Sequence, residues 1–179
     1  MTADPSQESL HQALLSLGSN IEPEKNLTAA VRELGRYGRV RRVSTVWQSP
    51  PLGNPDQSDY LNAALWLETS LSARELKENA IAEIETGLGR LRSTDPNAPR
   101  TIDIDIMLFN HERLRIGKRN IPDPEVLERA FVAIPLAEIA PDYIHPETGE
   151  TLAEIAARFD PTASGMHRRP DLLLNPADL

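Results

Sequence analysis

Pro99-Arg100-Thr101-Ile102-Asp103-Ile104-Asp105-Ile106-Met107-Leu108-Phe109 decides how this chain is read. From Ile102 to Ile106 the stretch alternates strictly, which is the period of a pleated strand. The three isoleucines then point one way, and Asp103 and Asp105 point the other. Two residues rise about 6 to 7 Å, so the carboxylates stand side by side and repel unless protons or cations come between them. A pair of divalent cations answers that repulsion. Hard cations on aspartate oxygens, with an arginine immediately before them, are the equipment of phosphoryl transfer. The competing reading is a solvent-facing strand that merely carries two acids, and the rest of the chain weighs against it.

Upstream, Gly87 to Ala98 is polar and contains Gly87, Gly89 and Pro96, the composition of a mobile loop. Arg90 and Arg92 share a face where such a loop is extended, and Arg100 stands at its exit beside Asp103. Three guanidiniums around two carboxylates complement a polyphosphate, with cations bridging its oxygens and arginines neutralising the remainder. Taken alone, the arginines also read as a solvated basic loop. Neither a Walker A sequence nor a kinase glycine loop occurs, so phosphate needs a different cradle here.

Composition narrows the class. The chain has 179 residues and 40% hydrophobic content, enough for one domain with a real core. A net charge of -8 and a pI near 5.0 argue against a nucleic-acid or anionic-membrane partner. Only Lys25, Lys77 and Lys118 are lysines, and the other basic residues are arginines, which suit multidentate contacts to phosphate. Without cysteine there is no disulfide and no thiolate chemistry. The opening MTADPSQESL has neither a basic start nor an apolar run, and no segment approaches a membrane span, so the expected location is cytoplasmic. With no long heptad, a monomer is the default.

Along the chain, Ala13 to Leu17 reads as a buried strand stopped by Gly18-Ser19-Asn20, followed by a helix from about Glu24 to Tyr37. Val40 to Trp47 alternates as a strand, Ser49-Pro50-Pro51-Leu52-Gly53 is a stiff loop, and Tyr60 to Thr69 is strand again. Ser72-Ala73-Arg74-Glu75 is a capping box that opens a helix to about Thr86, and Thr151-Leu152-Ala153-Glu154 opens a last helix to about Phe159. Between them, segments around Leu114 and Ile121 suggest a hairpin, and Pro124 to Phe131 a short helix. Residues 11–160 then form the domain, and 161–179 form a loosely docked or disordered tail. The element order predicts an α+β, ferredoxin-like split βαβ with helices on a mainly antiparallel sheet.

Five blocks in order carry a resemblance that spans roughly Leu14 to Phe159. They are Gly18-Ser19-Asn20, Ser49-Pro50-Pro51-Leu52-Gly53, Asp59-Tyr60-Leu61-Asn62-Ala63, Pro99-Arg100-Thr101-Ile102-Asp103-Ile104-Asp105, and Pro135-Leu136-Ala137-Glu138-Ile139-Ala140-Pro141. The chain resembles the 6-hydroxymethyl-7,8-dihydropterin pyrophosphokinases of folate biosynthesis. The resemblance implies transfer of pyrophosphate from ATP to a pterin alcohol with release of AMP. It implies that Asp103 and Asp105 hold two magnesium ions, that Arg90, Arg92 and Arg100 contact the triphosphate, and that Glu85, Ile106 and Arg129 hold the nucleotide. Arg90, Arg92 and Asp103 are the expected catalytic residues. Ser49, Pro50, Pro51, Leu52, Tyr60, Asn62 and Phe131 match the pterin pocket. A flat ring edged with donors and acceptors wants an aromatic to stack on, an amide to pair with and rigid backbone groups, which Phe131, Asn62 and the proline loop supply.

Two departures stand out. Asn97 occupies the position of a tryptophan that closes over the pterin in many members, and Asp123 replaces a histidine that often contacts the nucleotide. None of His11, His111, His145 and His167 falls in a matched position, so none is assigned a catalytic role. Two rival readings differ in kind. One is another metal-dependent phosphotransfer enzyme on this fold, a nucleotidyl transferase or phosphodiesterase with different products. The other is a nonenzymatic RNA-binding ferredoxin-like domain, which 4% aromatic content and negative charge disfavour.

Overall fold

The computed structural model describes residues 10–91, 93–95 and 97–175. Its centre is the antiparallel pair β1 (His11–Ser19) and β4 (Tyr60–Thr69), in register from His11 opposite Thr69 to Ser19 opposite Leu61. On the far side of β1 lies β5 (Asp103–Phe109), the edge strand, antiparallel with Gly18 opposite Asp103 and Ser16 opposite Asp105. On the far side of β4 lie β2 (Arg39–Val43) and β3 (Trp47–Ser49). The α+β, ferredoxin-like arrangement expected from element order is present.

One face of the sheet packs on helix α1 (Pro23–Leu34) and on a continuous helical rod made of α2 (Ala73–Glu75), a π-helical stretch Leu76–Ile81 and α3 (Ala82–Gly87). Proline near the start of α1 and apolar Leu27, Ala30, Val31 and Leu34 at helical spacing explain why that segment forms and which side it buries. Each fully buried leucine there contributes about 1.5–3 kcal/mol. The capping box at Ser72 is formed, with Ser72 and Glu75 satisfying each other's backbone N–H groups. Ile102, Ile104 and Ile106 of the Asp-x-Asp stretch join this core together with Leu15 and Leu17. A register shift opposite Leu14 and Leu15 ends the alternation, so Leu108 packs with Leu14 on the other face.

That other face is covered by α5 (Ala130–Ile139) and α6 (Leu152–Ala156). Here the structure corrects several expectations. The short helix expected over 124–131 is two helices, α4 (Glu125–Glu128) and α5, separated by extended Arg129 at φ -123 and ψ 120. Apolar residues fall on every side of α5, which contains Pro135 and packs on the sheet as well as on α6, so no one-sided stripe marks it in the sequence. The strand expected from Val40 to Trp47 is broken at 44–46. There the Ser44 hydroxyl accepts from the Ala64 N–H at 2.8 Å and the Thr45 N–H donates to Glu138 Oε2 at 2.8 Å, side chains standing in for ladder partners. The final helix ends at Ala156 rather than Phe159, although its Thr151 capping box is formed. The hairpin is β6 (Leu114–Ile116) with β7 (Arg119–Ile121).

The segment expected as a loose tail packs down as far as it is described, and residues 176–179 lie outside the described residues. In it β8 (His167–Arg168) pairs with β3, the Arg169 N–H donates to Val46 O at 2.9 Å, and Leu174 is buried in the first core. Leu174→Ala is expected to cost about 2–3 kcal/mol and lower Tm by about 5–10 °C in calorimetry, and an unchanged Tm would show that this segment adds nothing to stability. No helix among the described residues is long and apolar enough to cross a membrane.

Candidate active site

Where α5 and α6 cover the sheet, its face is apolar, with Leu14, Ala64, Met107 and Leu108 buried. Beyond their reach the same face turns polar. Asn62, Gly18 and Asp103 lie across three neighbouring strands in one row, and Ala64, Ser16 and Asp105 in the next. The middle strand thus carries only small side chains, and a shallow floor opens between the amide and the acids. A cavity of about 330 Å³ stands on this floor. Ser49, Pro50, Leu52, Tyr60, Asn62 and Phe131 all line it, whereas Pro51 does not. Asn62 is buried, and its amide nitrogen donates to Ser49 Oγ at 2.8 Å and to Trp47 O at 3.3 Å. Its remaining oxygen lies towards Gly18, where an added Cβ would come within 3.5 Å. Phe131, in the first turn of α5, supplies the aromatic wall.

A second cavity of about 280 Å³ adjoins the first, and Arg100, Asp103, Asp105 and Arg119 line both. Glu85 and Arg90 line the second. Arg92 lies outside the described residues. Asp103 is paired with Arg90 and Arg100, while Asp105 is paired with Lys77 at 2.9 Å and Arg119 at 3.0 Å. Burial pushes the Asp105 carboxyl up, but Lys77 and Arg119 outweigh it and hold the group below its ordinary range. Two acids are thus answered by four basic groups, Lys77, Arg90, Arg100 and Arg119.

Because β5 is an edge strand, its outer backbone groups need partners. Ile104 N–H donates to Glu85 Oε1 at 2.9 Å and Lys77 Nζ donates to Ile104 O at 2.7 Å. The Asp123 N–H donates to Met107 O at 2.9 Å. Glu85 also accepts from Arg90, so its carboxylate holds both the acid-bearing strand and an arginine in place. Burial pushes Glu85 above the usual carboxylate range, although the Ile104 N–H and the charges of Lys77 and Arg90 oppose it.

Ile106 lies apart from both cavities, lining a slot of about 220 Å³ with Ile116, Ile121, Lys77 and Arg119. Arg129, expected on the nucleotide side, lines the first cavity instead. Lys77, Arg119 and Ser16 were not predicted as site residues from the sequence, and Gly18 appeared only as part of the first block. For the two small residues, alternation along β1 already placed them on the face of the acids. Lys77 and Arg119 reach Asp105 from a helix and a hairpin on the free side of β5, and no local pattern announces such a meeting. Two loops contribute to the lining of the first cavity, one through Leu52 and one through Asn97. Asn20 binds them together, accepting from the Arg100 N–H at 2.8 Å and donating to Gln57 at 3.1 Å. Gly53, at φ +83, leaves room for the Asn97 side chain, which would stand 2.7 Å from an added Cβ.

Comparison with known proteins bears on this arrangement. Residues 14–141 match the family model for 7,8-dihydro-6-hydroxymethylpterin-pyrophosphokinase. The chain belongs to this family. A Synechocystis protein named 2-amino-4-hydroxy-6-hydroxymethyldihydropteridine pyrophosphokinase is 38% identical over 86% of this chain and 78% of its own length. The Methylorubrum extorquens protein of the same name is 40% identical over 88% of this chain and 98% of its own. In the crystal structure of wild-type Plasmodium falciparum HPPK-DHPS, 84% of this chain superimposes with a TM-score of 0.66 at 14% identity, which shows the fold. The matched part is 45% of that longer chain, so this chain spans less than half its length.

Proposed function

We propose that this family member transfers pyrophosphate from ATP to the hydroxyl of 6-hydroxymethyl-7,8-dihydropterin with the residues gathered around Asp103 and Asp105. The observation that carries the reading is the meeting of two cavities at those two acids. A two-substrate transfer needs one chamber for the acceptor and one for the donor, with charge stabilisation where they touch.

The pterin takes the first cavity, with Phe131 against its face, Asn62 at its edge and the loop of Ser49, Pro50, Pro51 and Leu52 at its rim. The triphosphate takes the second, against Arg90, Arg92 and Arg100. The apolar slot of Ile106, entered past Lys77 and Arg119, suits the adenine ring, which supports a nucleotide role for Ile106. Among the described residues no group of three or more His, Cys, Asp or Glu forms a metal cage. Two carboxylates facing a phosphate chamber do fit magnesium, which binds through one or two carboxylates and completes its shell with phosphate and water. Asp103 and Asp105 would hold two such ions, which supply charge neutralisation on the phosphates and acidify the attacking hydroxyl.

The hydroxyl oxygen attacks the β-phosphorus, the bond to the α,β-bridging oxygen breaks, and AMP leaves as the diphosphate ester forms. The hydroxyl proton is lost beside Asp103, which lines both chambers, with no dedicated base assigned. Arg90 and Arg100 move from the acids to the transferring group, and the loops held by Asn20 and Gly53 exclude water.

Chromatography of a mixture with ATP, magnesium and the pterin tests the reaction. AMP formed in step with a pyrophosphorylated pterin, and lost in Asp105→Ala, supports it. Pyrophosphate or a hydrolysed monoester as product would point to a nucleotidyl transferase or phosphodiesterase. Asn97 lines the pterin cavity where a larger aromatic would cover the ring. Asn97→Trp should lower the pterin KM about tenfold, and unchanged affinity would contradict the role given to this position.

A further inference from the structure

Arg119 is the one described residue that lines the pterin cavity, the phosphate chamber and the apolar slot together. A molecule with its ring in the slot and its phosphates at the acids must run past this side chain. One guanidinium nitrogen, Nη1, meets two carboxylates, 3.0 Å from Asp105 Oδ2 and 3.4 Å from Asp123 Oδ2. The two carboxylates are not equivalent. Asp105 is shared with Lys77 and belongs to the pair assigned to cations. Asp123 is 6% exposed and fixed on both sides, its N–H donating to Met107 O at 2.9 Å and its Oδ1 accepting from the Glu125 N–H at 3.0 Å.

We propose that Arg119 is a triphosphate contact at the junction of the three chambers, and that Asp123 is the positioning residue that keeps it aimed there. When Asp105 turns to a cation, Arg119 loses one partner but not the other. Asp123 still holds Nη1, and the other N–H donors of the planar fork can turn to a phosphate oxygen. An aspartate at this position therefore preserves a cationic contact to the nucleotide, delivered from the adjacent strand. The proposal rests on the nucleotide reading of the site.

A double-mutant cycle on ATP affinity tests it, measured by calorimetry without pterin, once with magnesium and once with EDTA. Arg119→Met should weaken magnesium-ATP binding about 10- to 30-fold, and Arg119→Lys should recover part of that loss. Asp123→Asn should weaken binding about fivefold in the parent and not at all when Arg119 is already methionine. An Arg119→Met protein that binds ATP within twofold of the parent overturns the proposal. An Asp123→Asn loss of equal size in both backgrounds overturns the positioning role. Should Asp123→Asn not fold, Asp123→Glu replaces it, with the same dependence on Arg119 expected. Failure of the parent itself to bind ATP or release AMP would instead sink the nucleotide reading.

Discussion

Replacing Asp103 with asparagine is expected to lower turnover at least about a thousandfold, roughly 4 kcal/mol of transition-state stabilisation, while ATP affinity changes less than about tenfold. The amide keeps the size of the carboxylate, so the strand and its row with Gly18 and Asn62 should persist. What is lost is a charge that lines both chambers and is paired with Arg90 and Arg100, and with it the proposed part in proton loss from the hydroxyl. Nucleotide binding should survive because, on the proposed reading, Arg90, Arg100 and Arg119 remain to meet the phosphates. Single-turnover kinetics beside equilibrium binding separate the two effects. Equal losses in both would assign Asp103 a purely structural part.

Gly18→Val is expected to weaken pterin binding at least about a hundredfold and leave ATP binding and Tm nearly unchanged. The added Cβ meets Asn62 Oδ1 at 3.5 Å and a Tyr60 ring carbon at 3.8 Å, ordinary contact distances, and a β-branched residue suits a central strand. Its methyl groups, however, rise from the floor into the space between the amide and the acids. Fluorescence titration with the pterin, set against thermal unfolding, reads both quantities. Normal pterin affinity would mean the ring lies elsewhere in the cavity.

Much of this was legible in the chain. The apolar run Ala13 to Leu17 and the strand character of Tyr60 to Thr69 mark two strands, and alternation around the two aspartates records which face that strand buries. The two capping boxes record where helices begin. The order of the five blocks identified the family before any tertiary contact was known, and supplied the expected acids, arginines and pterin-side residues. These are short-range signals, set by side-chain period and turn chemistry, and they survive in one dimension.

Other features were decided only by the tertiary fold. Helix α5 is apolar on all sides because the sheet and α6 both cover it, so it carries no one-sided stripe. The segment from 161 to 175 looks irregular, yet it fills an open sheet edge and buries Leu174. Glu85, read as a nucleotide ligand, spends its carboxylate on the edge of β5 and on Arg90. Lys77 and Arg119 meet at Asp105 from elements 28 and 14 residues away in opposite directions along the chain. Local pattern determined the strands, the acids and the chemistry they serve. Which basic groups surround those acids depended on edge pairing and charge neutralisation between distant segments, which have no period in the sequence to reveal them.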